Sequence, residues 1–163
     1  MPALAIFRTF IASQVENLRS NNSKNALTLV FEIFSVGSEF KKVSDEYVDF
    51  AKLVIPGVLI RTLADKNFIA SLAKRSITIM VETCPTWSVC QMFLESTASK
   101  SLVLAEFSLQ TIGVLVRNAD TNFFTNPTSD ILILTMCDVI EGKKTRMVKS
   151  ATPVLLEFKS QLG

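Results

Sequence analysis

The sequence predicts an all-α protein, an α-solenoid of about four antiparallel helical hairpins stacked side by side, with a generic helical bundle as the alternative. Three observations carry that prediction. Apolar residues recur at steps of three and four, the period of a helix with one buried stripe, and do not alternate by two as a half-buried strand would. Only five glycines and five prolines are spread over 163 residues, which suits long regular elements. The polar residues that open every second helix, Ser23, Asn67, Ser99 and Lys143, lie 44, 32 and 44 residues apart, and a recurring interval of this size is the mark of repeated hairpins.

Each element follows from local signals. A first helix is expected from about Pro2 to Leu18, with Pro2 at a first-turn position and Phe7, Phe10, Ile11 and Leu18 toward the core. Arg19 to Lys24 is a polar break, with Ser23 as N-cap of a second helix striped by Leu27, Val30, Phe31 and Phe34 and closed by Gly37. After Phe40-Lys41-Lys42, Ser44 caps a third helix that meets Pro56 in its middle, where the missing amide predicts a kink. Phe50, Leu53, Val54, Val58, Leu59 and Leu63 form its apolar side. Ala64-Asp65-Lys66-Asn67 is a tight turn in which Asp65 and Asn67 can accept from the free amides of the fourth helix. That helix carries Ile69, Leu72, Ala73, Ile77 and Met80 and ends near Cys84-Pro85.

A short fifth helix spans roughly Thr86 to Leu94, with Trp87 as a core or rim residue. Ser96 to Lys100 is the next break. The sixth helix has the most regular stripe, Leu102, Ala105, Leu109, Ile112 and Val116. Asn118 to Ser129 is the longest polar connection, and Phe123 and Phe124 within it are expected to turn back into the core. Pro127-Thr128-Ser129 opens a seventh helix holding Leu132, Leu134, Met136, Val139 and Ile140. Beyond Glu141 to Lys144, an eighth helix carries Val148, Ala151, Leu155 and Phe158, either kinked at Pro153 or restarted with Thr152 as cap. The whole of 1–163 reads as one domain.

Composition narrows the function. Hydrophobic residues make up 48% and charged residues 20%, which excludes a disordered chain. A net charge of +2 gives no general drive toward nucleic acid or a membrane surface, so any basic site is local. No apolar run is long enough to span a bilayer. Cys84, Cys90 and Cys137 have no metal spacing and read as buried thiols of a reducing compartment. The sequon Asn21-Asn22-Ser23 reads as chance, and the basic first segment as a core helix rather than a presequence.

Ile55-Pro56 followed by Leu59, Leu63, Asp65, a turn and Ala73 resembles the HEAT consensus, whose repeats run to roughly 40–47 residues. More narrowly, Val54 to Trp87, VIPGVLIRTLADKNFIASLAKRSITIMVETCPTW, is similar to the TOG-type HEAT domains of the CLASP and crescerin group. Ser96 to Val116, with its Ser99-Lys100 turn, resembles the following repeat of those domains. The match covers Leu53 to Val116.

The resemblance implies a binding module for tubulin or the microtubule lattice. It implies cytoplasmic and cytoskeletal placement, in a cilium or flagellum among others, and a monomer without cofactor. The contact residues are those of the turns inside each hairpin. Motif positions match at Asp65, Lys66 and Asn67 and at Ser99 and Lys100. Repeat position alone adds Arg19, Asn22 and Lys24 in the first turn and Lys143, Lys144 and Arg146 in the fourth. Every turn thus carries a cation that could face an acidic partner. The chain departs from the family in lacking a tryptophan in the first turn, in carrying Ala70 where HEAT repeats favour a basic residue, and in having fewer repeats.

Two other classes compete. An enzyme is disfavoured because the chain has no histidine, no phosphate-binding glycine loop and no nucleophile elbow. Cys84 and Cys90 lack the close spacing of a redox pair, and Asp45, Glu46 and Asp49 look like a solvated helix face. The remaining alternative is a HEAT scaffold that binds another protein through an apolar groove on a helix face.

Overall fold

The computed structural model describes residues 2–39, 44–125, 129–142 and 145–162, with side chains for all of these except 2–5 and 162. The elements are α1 (Pro2–Val15), α2 (Ser20–Gly37), α3 (Asp45–Arg61), α4 (Asn67–Thr83), α5 (Trp87–Thr97), α6 (Leu102–Asn118), α7 (Thr121–Phe124), α8 (Ser129–Glu141) and α9 (Thr145–Leu162). No strand occurs among the described residues. The eight expected helices are present, and α7 is an additional single turn. The chain divides into two compact units, Met1–Cys84 and Pro85–Gly163.

In the first unit α1 pairs with α2 and α3 with α4, while α1 packs on α3 and α2 on α4. Two layers result, α1 with α3 and α2 with α4. The second layer is close because α4 presents short side chains, Ala73, Ser76 and Thr83, all buried. The Ser76 hydroxyl is shared between the Leu72 carbonyl of its own helix at 2.9 Å and the Leu27 carbonyl of α2 at 3.2 Å, and the Thr83 hydroxyl donates to the Phe34 carbonyl at 3.1 Å. Donors and acceptors are equally spaced on the two helices, which fixes α2 and α4 parallel and in register. Phe34 is fully buried, stacked on Phe50 at 5.6 Å and met edge-on by Tyr47 at 5.7 Å. In the first layer a Cβ on Gly57 would stand 3.0 Å from Glu16, so that glycine marks the close approach of α1 to α3.

In the second unit α5 pairs with α6 and α8 with α9, and α6 packs extensively on α9. Two ion pairs bridge these last helices, Arg146 with Glu106 and Arg117 with Glu157, the second at 3.2 Å. They are equally separated on both helices, so α6 and α9 also run parallel and in register. Phe123 and Phe124 turn inward as expected. A chain of rings runs from Trp87 to Phe123 (5.6 Å), Phe124 (5.2 Å) and Phe158 (5.2 Å). The Asp120 carboxylate caps α7 by accepting from the Phe123 amide at 3.2 Å.

Several expectations are corrected. α1 stops at Val15, and Leu18 lies beyond it, 92% exposed. Ile11 and Val15 take the inner face of α1, leaving Phe7 and Phe10 at its surface, 45% and 59% exposed. Leu53 and Leu63 are exposed because α3 buries the other side of its circumference, Val54, Ile55, Val58 and Leu59. Leu102 and Leu134 are exposed as well. Ser23 is not an N-cap; it lies inside α2, and its hydroxyl donates to the Val15 carbonyl at 3.0 Å, holding the end of α1. Ser44 precedes α3 without a side-chain cap bond, and neither Asp65 nor Asn67 caps α4, whose N-cap is Lys66.

Gly37 is needed for space rather than for a helix stop: a Cβ there would come within 2.5 Å of the Tyr47 ring. Pro56 and Pro153 both lie inside continuous helices on exposed positions, where water can serve the carbonyls they leave free. Thr152 is no cap, since its hydroxyl donates to the Val148 carbonyl within α9. Pro127 and Thr128 lie outside the described residues.

Leu109 and Ile112 are completely buried, as their place in the α6 stripe requires. Replacing Leu109 by alanine should cost about 2–5 kcal/mol in urea melts. A loss of under about 0.5 kcal/mol would mean that this stripe is not core.

Candidate functional site

The turns of the first unit form one polar edge. Arg19, Ser20, Asn21 and Asn22 from the α1–α2 turn and the head of α2 meet Lys66 from the α3–α4 turn around an open depression of about 450 Å³. The Lys66 ammonium donates to the Ser20 hydroxyl across the two turns. Neither α2 nor α4 has a side-chain cap, so their first amides point to this edge unsatisfied by side chains. Two cations and two helix heads make the depression electropositive. Of the sequence-predicted residues, Arg19, Asn22 and Lys66 line it; Lys24, Asp65 and Asn67 are exposed and do not.

The edge is held in place by a residue given no role in the sequence reading. Arg61, in the last turn of α3, reaches the end of α1. Its Nε donates to the Val15 carbonyl at 2.8 Å and its Nη2 to the carbonyls of Glu16 and Asn17. These are the carbonyls that the end of α1 leaves without intrahelical partners. One guanidinium therefore serves as the C-cap of a helix far away in sequence. Asn17 completes the turn by accepting from the Arg19 amide at 2.9 Å. A basic residue in a last helical turn is a recognisable signal, but it points to its own helix dipole rather than to another helix.

In the second unit, Lys100 is exposed, and the Ser99 hydroxyl accepts from the Ser101 amide at 3.2 Å, which makes it a turn-former. Ser101 caps α6 by accepting from the Leu104 amide at 3.4 Å. Arg146 is ion-paired with Glu106 at the surface, its own side chain still 68% exposed. Lys143 and Lys144 lie outside the described residues.

No group of acids and cysteines among the described residues is arranged to hold a metal. Trp87 sits against Phe123, in keeping with a core or rim position. Cys84 and Cys90 are buried as expected, whereas Cys137 is exposed. Burial pushes both the Cys84 and the Cys90 thiol up to about 12, so neither forms the thiolate that exchange chemistry requires.

Two measurements check this geometry. Arg61→Met strands the Glu16 and Asn17 carbonyls, leaves Val15 with Ser23 alone, and should lower stability by about 1–3 kcal/mol, with protection of the α1–α2 turn amides lost first in hydrogen exchange. For the thiols, the folded form keeps its protons up to about 12 while an unfolded cysteine loses its own near about 8.5. Stability is therefore complete below that lower value and falls as pH rises between the two. In native buffer at neutral pH, a thiol reagent should titrate Cys137 rapidly and the other two only after unfolding. Fast reaction of all three would contradict the burial.

No protein-family model matches this chain, and no curated protein matches it either.

Proposed function

We propose that this chain is a non-catalytic, HEAT-type α-solenoid of the TOG kind that binds tubulin or the microtubule lattice through the turns inside its hairpins. The observation that carries this reading is the Arg19–Lys66 edge, where two successive turns are drawn together by the Lys66–Ser20 bond. The parallel, in-register stacking of α2 on α4 and of α6 on α9 supports the repeat architecture, since each hairpin then repeats the orientation of its neighbour within a unit. An electropositive edge suits an acidic protein surface, which it would attract by long-range steering.

Under this reading the protein is cytoplasmic and cytoskeletal, a monomer without cofactor. No helix among the described residues is long and apolar enough to cross a membrane. The departures from the family at the first turn and at Ala70 leave the shared anchor absent, so electrostatics carries more of the contact. A HEAT scaffold with another protein partner is the alternative.

Co-sedimentation with purified tubulin and microtubules separates the two. Lys66→Glu/Lys100→Glu should weaken binding about three- to tenfold at low salt and less at moderate salt. Its melting temperature should stay unchanged, because exposed charges contribute only about 0–1 kcal/mol. Equal sedimentation of wild type and variant leaves the scaffold.

A further inference from the structure

The exposed face of α3 joins large apolar side chains to an acidic end, whereas the exposed apolar residues of α1, Ile6, Phe7 and Phe10, have no acid on their helix. Asp45, Asp49, Lys52, Leu53, Pro56 and Ile60 are all exposed and fall at helical spacing on one side, continued by Leu63 just past the helix end. Leu53, Ile60 and Leu63 expose 44%, 61% and 42% of their surface. With Pro56 between them they follow steps of three, four and three, the seam by which one helix packs along another.

The two ends of this face differ. Acids occupy its beginning: Asp45 has no ion-pair partner among the described residues, and Asp49 reaches Lys52 only at 3.9 Å. The middle carries an unused acceptor. Pro56 has no amide to give the Lys52 carbonyl one turn earlier, and α3 runs on without a break, so that carbonyl is left for an outside donor. Apolar side chains fill the remainder. Acids, a free acceptor and an apolar seam together select a donor-rich and apolar occupant.

We infer that the solvent face of α3 is a docking surface for an amphipathic helix of a partner protein, its apolar stripe on Leu53, Ile60 and Leu63 and its lysines or arginines over Asp45 and Asp49. Charge complementarity sets the direction in which that helix lies. A helix of about 18 residues would cover the face from end to end. The acidic part of the face lies toward the opposite end of α3 from the Lys66 turn and carries the opposite charge, so the two sites take different partners.

Fluorescence anisotropy on the full chain tests this with two synthetic helical peptides. Both carry leucines at a and d positions; one ends in lysines, the other in glutamates. The lysine peptide should bind saturably, and the glutamate peptide at least about fivefold more weakly at low salt. Leu53→Ser/Ile60→Ser should weaken the lysine peptide about tenfold. Asp45→Asn/Asp49→Asn should abolish the preference between peptides, while Lys66→Glu/Lys100→Glu should change neither affinity.

All variants should stay folded and melt close to wild type, since the altered side chains lie at the surface and none belongs to the core. Absence of saturable binding, equal affinity for both peptides, or full affinity in Leu53→Ser/Ile60→Ser would each overturn the inference. So would a dimer of the chain alone, seen by sedimentation velocity and dissolved by Ile60→Ser, which would give the face to a second copy.

Discussion

Two hydroxyl-to-carbonyl bonds between α4 and α2 set the geometry of the first unit. Ser76 and Thr83 are buried polar residues, and leaving either hydroxyl unpaired would cost about 1–3 kcal/mol. Thr83 is satisfied only when α4 lies close and parallel to α2 in a single register, and Ser76, which also has the Leu72 carbonyl of its own helix at 2.9 Å, shares its hydroxyl with Leu27 in that same register. That register places Phe34 where Phe50 stacks on it and Tyr47 meets it, and the Tyr47 ring in turn requires Gly37. It also brings the head of α4 beside the head of α2, so that Lys66 reaches Ser20. The polar edge is a consequence of helix packing, not an independent feature of two loops.

The second unit reaches a similar pairing with different chemistry. Ion pairs at the surface mark the register of α6 and α9, and Val154 of α9 approaches Gly113 of α6, where a Cβ would stand 3.5 Å away. Exposed ion pairs contribute little free energy, so the apolar stripe of Ala105, Leu109, Ile112 and Val116 supplies most of the stability. The Ser108 hydroxyl and the Trp87 indole N–H are buried without a partner among the described residues, a cost not met among the described residues of the first unit. The aromatic chain from Trp87 to Phe158 ties α5, α7 and α9 together.

This division of labour bears on function. Cations in turns cost a stacked-helix protein almost nothing, because the turns carry little of the core; they are free to vary with the partner. Positions such as Arg61 are different. It holds an edge together while facing no partner, and changing it would alter binding through shape rather than charge. Arg146 differs again: it lies in the first turn of α9, where it pairs with Glu106 of α6 while its side chain stays exposed.

The sequence by itself determined the helices and most of their inner faces. Local periodicity is a property of one helix, and Leu27, Val30, Phe34, Ala73, Ile77, Met80, Leu109 and Ile112 are buried as it requires. It also determined where the turns fall and that they bear charge. Tertiary structure alone decided which apolar residues stay outside, because Phe10, Leu53, Leu63, Leu102 and Leu134 satisfy a stripe of three and four as well as their buried neighbours do. It decided the fate of the short polar residues. Ser23, Ser76 and Thr83 bond to helices reached only after the chain has turned back, so a capping rule limited to neighbouring residues misplaces Ser23 and says nothing of the others. It decided the candidate site in the same way: Arg19, Asn22 and Lys66 share one depression and Arg146 is paired, since distance in space between distant residues is set by packing and is not written in any local pattern.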